Sequence, residues 1–452
     1  MNTRRRYNNR LRRKNGNLVR APSLSTLVSL AAAARAEEDE MVKGFIRAAQ
    51  YTQDPEILRD AAEYLSNLAL EQALEPDWFG PPVDPEQAKG EIEIGIVRNS
   101  DCTFGLRLRE LPMHTLVVGQ SGMGKTTLIS KILRQLIIFA RTNQDGARII
   151  VFDIKRDYVG LAGEHADVWL FKLPGPDFRW NPLEPPFGDC ARWAAILASV
   201  FANAVGFFQG MGTENFIYKC LLELYQKYDV ARGIYPCLLD LLDYLRWMKF
   251  SKKVEPRSEE YNWFIRFLNR AESLCCVFGE TINCSRGYPL AKLLENHVIF
   301  DMAELKQDAQ SFFTETFLTQ VVWYRIENEQ RGGVLRTVGV FDEGKRLMPK
   351  YREESQQSIS NMSNIIALSR EFGIGLIVAE CDPALLANSI KSNCYVRFCF
   401  NQTTGRDVAD SAQALGLTDA EQVEEIQRLE VGEAIVRLSG RIKRPFVVRV
   451  TP

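Results

Sequence analysis

Short apolar runs alternate with longer segments of helical periodicity along most of the chain. The runs lack the polar alternation of a half-exposed strand, and the segments between them repeat apolar positions every three or four residues. This alternation is typical of a mainly parallel β-sheet covered by helices on both faces, which is an α/β fold. The predicted strands lie at 115–118, 148–153, 298–301, 338–341, 375–379, 395–400, 434–438 and 446–450, and the predicted helices at 125–140, 309–330, 356–371 and 383–389.

Other parts of the chain depart from this alternation. Residues 190–289 are almost purely helical in pattern, so we predict an all-α insertion that divides the core into 111–189 and 290–452. Residues 22–80 form an N-terminal helical segment that ends in a Pro-rich linker. Alternating apolar residues predict a short β hairpin at 91–110.

Charge is distributed unevenly. The whole chain has 56 basic and 57 acidic side chains, but its first 20 residues carry eight basic and no acidic ones, which leaves 48 against 57 elsewhere. We therefore predict a basic, disordered arm at 1–21 on an acidic body. Such an arm either neutralises nucleic-acid phosphates or is a solvated, partner-docking tail.

The most informative motif follows the first strand of the core. Residues 119–126 read GQSGMGKT, a G-x-x-x-x-G-K-[ST] loop between a strand and an amphipathic helix. Glycines let successive backbone N–H groups turn toward phosphates, the lysine directs its charge at the β- and γ-phosphates, and the threonine hydroxyl is a ligand for Mg²⁺. The loop predicts a site for ATP and Mg²⁺ formed by Gly119, Gln120, Ser121, Gly122, Met123, Gly124, Lys125, Thr126 and Thr127.

A pair of acids ends a later strand. Residues 337–343 read TVGVFDE, which places Asp342 and Glu343 at the edge of the sheet. In phosphoryl transfer such acids have separate tasks: Asp342 holds the magnesium shell, and Glu343 orients and deprotonates the attacking water. An Asp-Glu pair alone is often a solvated turn, and the phosphate loop upstream favours the catalytic interpretation.

From about residue 112 to the C-terminus, the order of motifs resembles the HerA-FtsK superfamily of DNA-pumping ATPases, closest to its HerA-like and conjugative coupling-protein branches. The resemblance implies a RecA-like P-loop ATPase core. The motifs that carry it are HTLVVGQSGMGKTT from His114, VFDIKRD at 151–157, WNPLEPP at 180–186, HVIFDMAEL from His297, VGVFDEGKRL from Val338, SREFGIGLIVAE from Ser369 and VGEAIVRL from Val431.

The resemblance also implies an assembly and a substrate. Members of the superfamily form rings, usually hexamers, with nucleotide between subunits and DNA in the central channel. We therefore expect a hexameric DNA translocase or helicase, with duplex DNA favoured over single strands. Arg370 aligns with a basic residue that reaches a neighbour's γ-phosphate, so it joins Lys125 and Glu343 as an expected catalytic residue. The alternative is that Arg370 is a helix C-terminal charge before Gly373.

The chain differs from the family that it resembles at the sensor position and in lacking membrane helices. The family commonly ends its next strand with a Gln that senses the γ-phosphate, and this chain has Cys381, whose thiol is a poor hydrogen-bond donor. Conjugative coupling proteins usually begin with membrane helices, and no run here approaches the ~20 apolar residues of a membrane span. We expect a cytoplasmic protein without membrane contact, acting with a nuclease or effector in antiviral defence or DNA processing.

Cations directly after the acid pair are the candidates for DNA contact. Duplex DNA is gripped through its phosphates, so channel loops should carry Lys or Arg. Residues 344–352 contain four cations in an otherwise acidic body: Lys345, Arg346, Lys350 and Arg352. The alternative is that these cations balance Asp342 and Glu343.

Two further functions stay open beside the motor. One is an ATP-gated scaffold that organises a partner nuclease and hydrolyses slowly, which the cysteine at the sensor position favours. The other is a soluble ATPase of the conjugative coupling type. DNA-stimulated turnover would separate a motor from a scaffold.

Overall fold

The computed structural model of the protein describes residues 22–33, 40–52, 54–74, 79, 85–143, 145–204, 210–328, 330–355 and 361–451. The basic arm predicted at 1–21 lies outside the described residues. The chain divides into two compact units at the boundary between Asp77 and Trp78.

The first unit contains the helices predicted for the N-terminal segment. They are α1 (Leu24–Ala33), α2 (Glu40–Thr52) and α3 (Pro55–Leu74). Helix α3 begins at a proline, which needs no N–H partner there, and Asp54 accepts a hydrogen bond from the Glu56 N–H at 2.9 Å. The three helices share a small apolar core of their own, made by Leu27, Ala31, Val42, Ala49, Ala61 and Leu65.

The second unit is built on one sheet. Every strand of the predicted core is present, and an additional strand follows the second of them. The strands are β1 (Ile92–Val97), β2 (Thr103–Leu106), β3 (Thr115–Val118), β4 (Arg148–Asp153), β5 (Val168–Lys172), β6 (His297–Asp301), β7 (Thr337–Phe341), β8 (Ile374–Glu380), β9 (Val396–Cys399), β10 (Glu433–Leu438) and β11 (Ile442–Val450). The unpredicted strand is β5, an edge strand whose exposed Leu170 and Lys172 interrupt the apolar run.

The strand order is β2-β1-β11-β10-β9-β3-β8-β7-β4-β6-β5. The seven strands from β9 to β5 are parallel, and β10, β11, β1 and β2 extend the sheet with antiparallel pairs. The predicted hairpin is thus part of the main sheet, joined to it by pairing of β1 with β11. Strand β8 lies between β3 and β7. The phosphate loop and the acid pair therefore follow the carboxyl ends of two parallel strands that are separated by a single strand.

Helices cover both faces of the sheet. Strand β4 shows how the faces are separated, since Ile150 and Phe152 belong to one apolar cluster while Ile149 and Val151 belong to the other. The helices of this unit are α4 (Lys125–Thr142), α5 (Gly160–Glu164), α6 (Cys190–Ala204), α7 (Gly210–Tyr225), α8 (Leu238–Phe250), α9 (Glu259–Phe278), α10 (Leu290–Leu294), α11 (Gln307–Glu327), α12 (Gly344–Leu347), α13 (Lys350–Ser355), α14 (Asn361–Ser369), α15 (Asn388–Asn393), α16 (Gly405–Leu415) and α17 (Ala420–Arg428).

The helical insertion shares the core of the sheet. Phe201 of α6 contacts Phe267 of α9 and Phe312 of α11, with ring centroids 5.4 and 5.0 Å apart. The next residue after Phe312 is Phe313, whose ring packs on Phe300 of β6 with the ring centroids 5.0 Å apart. A continuous stack of aromatic rings therefore ties the insertion to the sheet. Within the described ranges, none of the helices is long and apolar enough to cross a membrane.

Candidate nucleotide and catalytic site

The phosphate loop joins the end of β3 to the start of α4. Its glycines Gly119, Gly122 and Gly124 have φ angles of 153°, 82° and 115°, which other residues rarely adopt. A Cβ on Gly119 would lie only 2.5 Å from the Cβ of Phe400, whereas a Cβ on Gly122 would meet nothing within 4 Å. Glycine is therefore required at the first position both by the backbone angle and by the close approach of the residue after β9.

Lys125 is the first residue of α4 and is buried although it carries a charge. Its Nζ donates hydrogen bonds to the carbonyl oxygens of Gly119 at 2.6 Å and Gln120 at 3.0 Å. The ammonium is thus held inside the curve of the loop by backbone oxygens. A polyphosphate, whose negative charge is far larger than that of a carbonyl dipole, would attract it more strongly.

Neighbouring segments hold the loop from outside. The Gln120 N–H donates to the Asn401 carbonyl at 2.8 Å, and the Gly432 N–H donates to the Met123 carbonyl at 3.0 Å. The side chains of Gln120, Ser121 and Thr127 are exposed, which leaves this side of the loop open. The loop is therefore preformed, and its open side faces solvent.

The acid pair directly follows β7. Glu343 has φ 56° and ψ 61°, a left-handed conformation that is unusual for a residue with a Cβ, and its N–H donates to the Asp342 carboxylate at 3.0 Å. The turn presents both acids at the same edge of the sheet as the phosphate loop. Asp342 is largely buried, and burial raises its carboxyl pKa although the charge of Lys155 opposes the rise.

Two cations hold Glu343. The Lys155 Nζ lies 2.7 Å from Glu343 Oε1, and the Arg346 guanidinium is ion-paired with Oε2. Burial alone would raise the pKa of Glu343, but the hydrogen bonds and charges of Lys155 and Arg346 outweigh it and lower that pKa. Glu343 is therefore ionised near neutral pH and fixed in position, the state that a proton acceptor requires before it meets water.

The oxygen atoms around Thr126 and Asp342 suit a magnesium ion. The buried Tyr158, which is 1% exposed, has its hydroxyl close to the Thr126 side chain, without a hydrogen bond of normal geometry, and within range of the charge of Asp342. Burial, followed by the charge of Asp342, raises the Tyr158 pKa well above its ordinary value. The Thr126 hydroxyl and the Asp342 carboxylate are hard oxygen donors of the kind that Mg²⁺ binds, so these two residues would hold it.

The predicted sensor position lies at the end of β8, between the two motifs. Glu380 is fully buried, and its carboxylate accepts hydrogen bonds from the N–H groups of Lys345, Cys381 and Asp382 at 2.8–2.9 Å. Glu380 therefore has a structural role in shaping this turn. Cys381 directly follows β8 and is partly exposed at the same edge.

Arg370 lies at the opposite edge of the sheet. It follows α14 and precedes β8, which has seven residues and spans roughly 20 Å. Because the phosphate loop lies at the carboxyl ends of β3 and β8, the exposed Arg370 is remote from the nucleotide site of its own chain. A role at a γ-phosphate would need a second copy of the chain.

A buried histidine connects that edge to the phosphate-loop strand. His114 precedes β3 and accepts a hydrogen bond at Nδ1 from the Leu376 N–H, 3.1 Å away. Its Nε2 lies 2.9 Å from the Ile366 carbonyl oxygen, so the ring must donate there and is neutral. Burial lowers the pKa of His114 to about 4. The ring thus binds α14 and β8 to the start of β3.

The four candidate DNA-contact cations have different surroundings. Lys345 is paired with Glu380 and Asp382, and Arg346 is paired with Glu343 and donates to Gln310 Oε1 at 3.1 Å. Lys350 and Arg352 lie on α13. The pairing of Arg346 with Glu343 agrees with the alternative interpretation, in which the cations balance Asp342 and Glu343, whereas Lys345 balances two other acids. DNA contact by the four residues remains a prediction.

Two residues near the acid pair were not predicted from the sequence. Lys155 and Tyr158 both come from the loop after β4, where the Asp153 carboxylate accepts hydrogen bonds from the N–H groups of Lys155, Asp157 and Tyr158 at 2.8–3.2 Å. The signal was present in VFDIKRDY, because polar residues after a parallel strand reach the carboxyl edge of the sheet. Their position next to β7 depends on strand order, which the sequence does not state.

Comparisons with known proteins agree with this arrangement. The family model described as the central domain of helicase HerA matches residues 92–277. The DNA double-strand break repair helicase HerA of Sulfolobus acidocaldarius is 20% identical over 372 residues, which cover 80% of this chain and 69% of that protein. Its counterpart in Sulfurisphaera tokodaii is 20% identical over 370 residues, which cover 80% and 70%.

Solved structures share the fold. VirB4 of Thermoanaerobacter pseudethanolicus has a TM-score of 0.59 and 18% identity, covering 80% of this chain and 97% of that one. The plasmid coupling protein TrwB in complex with ADP and Mg²⁺ also has a TM-score of 0.59, with 12% identity and coverage of 82% and 94%. At this level of identity the similarity shows the fold alone, and it supports the RecA-like core.

Proposed function

Because the chain is a P-loop ATPase of the HerA-FtsK type, we propose that it is an ATP-driven DNA translocase or helicase that works as a ring, most simply a hexamer. The observation that carries the proposal is the meeting of the phosphate loop with the acid pair Asp342 and Glu343 at one edge of the sheet. This geometry supports the nucleotide chemistry, whereas the DNA substrate and the assembly rest on other observations.

We assign a residue to each step of hydrolysis. The ionised Glu343 accepts a proton from water, the water oxygen forms a bond to the γ-phosphorus, and the bond from that phosphorus to the β–γ bridging oxygen breaks to leave ADP and phosphate. Lys125 offsets charge on the β- and γ-phosphates from inside the loop. Held by Thr126 and Asp342, Mg²⁺ would offset the remaining phosphate charge and orient the chain of phosphates.

Ring assembly is supported by the position of Arg370. A guanidinium that stabilises the transferred phosphoryl group is typically worth about 10³–10⁵ in rate. Since Arg370 is at the edge remote from its own phosphate loop, it would serve a neighbour's nucleotide in a head-to-tail contact. Such contacts form a ring when the rotation between successive copies closes. Hydrolysis would then depend on assembly.

DNA as the substrate is supported by the relatives. The two archaeal proteins are named as DNA double-strand break repair helicases, and TrwB is named as a plasmid coupling protein. We extend the proposal to duplex DNA in the ring channel and to DNA processing or antiviral defence together with a nuclease or effector partner. Phosphate contacts without base readout suit a motor that must move along any sequence.

Steady-state ATP hydrolysis, titrated with linear duplex and with single-stranded DNA, tests the proposal. Lys125→Ala removes the loop charge, and Glu343→Gln removes the proton acceptor while keeping its size. Stimulation of several-fold by DNA, absent in both variants, would support a motor and identify the preferred strand form. Tight ATP binding with little turnover and no response to either DNA would refute the autonomous motor.

A second candidate function has one observation in its favour. Cys381 stands where the family commonly has a γ-phosphate-sensing Gln, and a thiol donates hydrogen bonds poorly. A protein of this kind could bind ATP to organise a partner nuclease and hydrolyse it slowly. Cys381→Gln distinguishes the two: a large rise in turnover would favour the scaffold, whereas a motor already competent with Cys381 would change little.

A further inference from the structure

The loop after β4 places a lysine against both acids of the catalytic pair. The Lys155 Nζ lies 2.7 Å from Glu343 Oε1 and 3.6 Å from Asp342 Oδ2. This loop is held rigidly, because the buried Asp153 carboxylate binds three of its backbone N–H groups. The backbone of Lys155 therefore has a defined position, and its side chain is 38% exposed.

We propose that Lys155 is a positioning residue which holds Glu343 for catalysis and competes with the divalent cation for Asp342. The proposal rests on the function proposed above, and it concerns the nucleotide site rather than DNA. It assigns two effects of opposite sign to one side chain: Lys155 weakens metal binding and strengthens catalysis.

The competition follows from charge and space. The side chain of Asp342 is 8% exposed, so its carboxylate has few free directions. Metal ions of the Mg²⁺ type approach oxygen ligands to about 2.1 Å, and like charges repel strongly at such distances in a partly buried site. A metal on Asp342 must therefore push the ammonium away or bind less tightly because of it.

Glu343 keeps a second anchor when Lys155 moves. Its other oxygen is paired with Arg346, whose backbone carbonyl accepts a hydrogen bond from the Ser311 hydroxyl at 2.9 Å and whose side chain donates to Gln310.

The test compares Lys155→Met, which keeps length and removes the charge, with Lys155→Arg, which keeps the charge. Lys172→Met is the matched control, because Lys172 also ends a parallel strand but pairs with Glu304. Mn²⁺ is the probe, and its binding to each protein is measured by electron paramagnetic resonance, both alone and with ADP. Turnover with Mg²⁺ and ATP is measured on the same preparations.

We expect Lys155→Met to bind Mn²⁺ about five-fold or more tightly than the unaltered protein and to lose about ten-fold or more in kcat. Lys155→Arg and Lys172→Met should stay within about two-fold of it in Mn²⁺ affinity. Unchanged or weaker Mn²⁺ binding by Lys155→Met overturns the competition, and an unchanged kcat overturns the positioning role. The Mn²⁺ measurement uses no DNA, so failure of the proposed motor function would appear separately as absence of DNA-stimulated turnover.

Discussion

The buried histidine before the phosphate-loop strand should make the ATPase unit sensitive to acid. His114 accepts the Leu376 N–H at Nδ1 and donates from Nε2 to Ile366 O, so a second proton at Nδ1 would face another N–H group. Burial lowers its pKa to about 4 from an ordinary 6.5. The unfolded chain therefore binds this proton first, and the stability that His114 contributes is present above pH 6.5 and is lost as pH falls toward 4.

The size of the effect follows from the two pKa values. At pH 5 the unfolded histidine is almost fully protonated and the folded one is mostly neutral, which costs about 2 kcal/mol relative to pH 7. His114→Asn removes the titrating ring, and the Asn oxygen can accept the Leu376 N–H. Any stability lost in the variant at every pH cancels when the two pH values are compared. The unaltered protein should therefore lose about 2 kcal/mol relative to the variant between pH 7 and pH 5.

Urea unfolding followed by tryptophan fluorescence measures this difference. All seven tryptophans lie at position 78 or beyond, so the signal reports on the second unit alone. Other titrating groups act equally in both proteins and cancel in the comparison. A stability difference between the two proteins that stays constant within about 0.5 kcal/mol over this pH range would refute the neutral, buried ring.

Three other predictions concern the site. Gly122→Ala should lower the free energy of unfolding in urea by about 1–2 kcal/mol through its φ alone. Gly119→Ala should lower it by about 1–3 kcal/mol more, because the added Cβ meets Phe400. Equal losses in the two variants would contradict the close approach of Phe400. Arg370→Ala and Lys125→Ala should each abolish turnover. An equal mixture of the two variants should recover up to roughly a quarter of the turnover, because some interfaces then pair an intact loop with an intact arginine. No recovery in the mixture would argue against a role of Arg370 in trans. Glu380→Gln should lower the free energy of unfolding by about 1–3 kcal/mol, because an amide cannot accept all three N–H groups; an unchanged urea midpoint would mean that these bonds are dispensable.

The sequence by itself determined the elements that depend on local pattern. Largely buried strands are mostly apolar runs, so β3, β4, β6, β7, β8 and β9 were predictable. The phosphate loop was recognisable because each of its residue types has a function within one short contiguous segment. The edge strand β5 was not predicted from the sequence, because its exposed residues interrupt the apolar pattern.

Tertiary structure decided everything that depends on which strands are neighbours. Lys155 and Glu343 are far apart in the chain, and the pairing of β4 with β7 brings them to 2.7 Å. The same order places Arg370 at the edge remote from its own phosphate loop, which turns a motif assignment into a prediction about assembly. Local periodicity records which face of an element is buried but not what lies against it, so the cations that hold the catalytic acid became visible only in the folded chain.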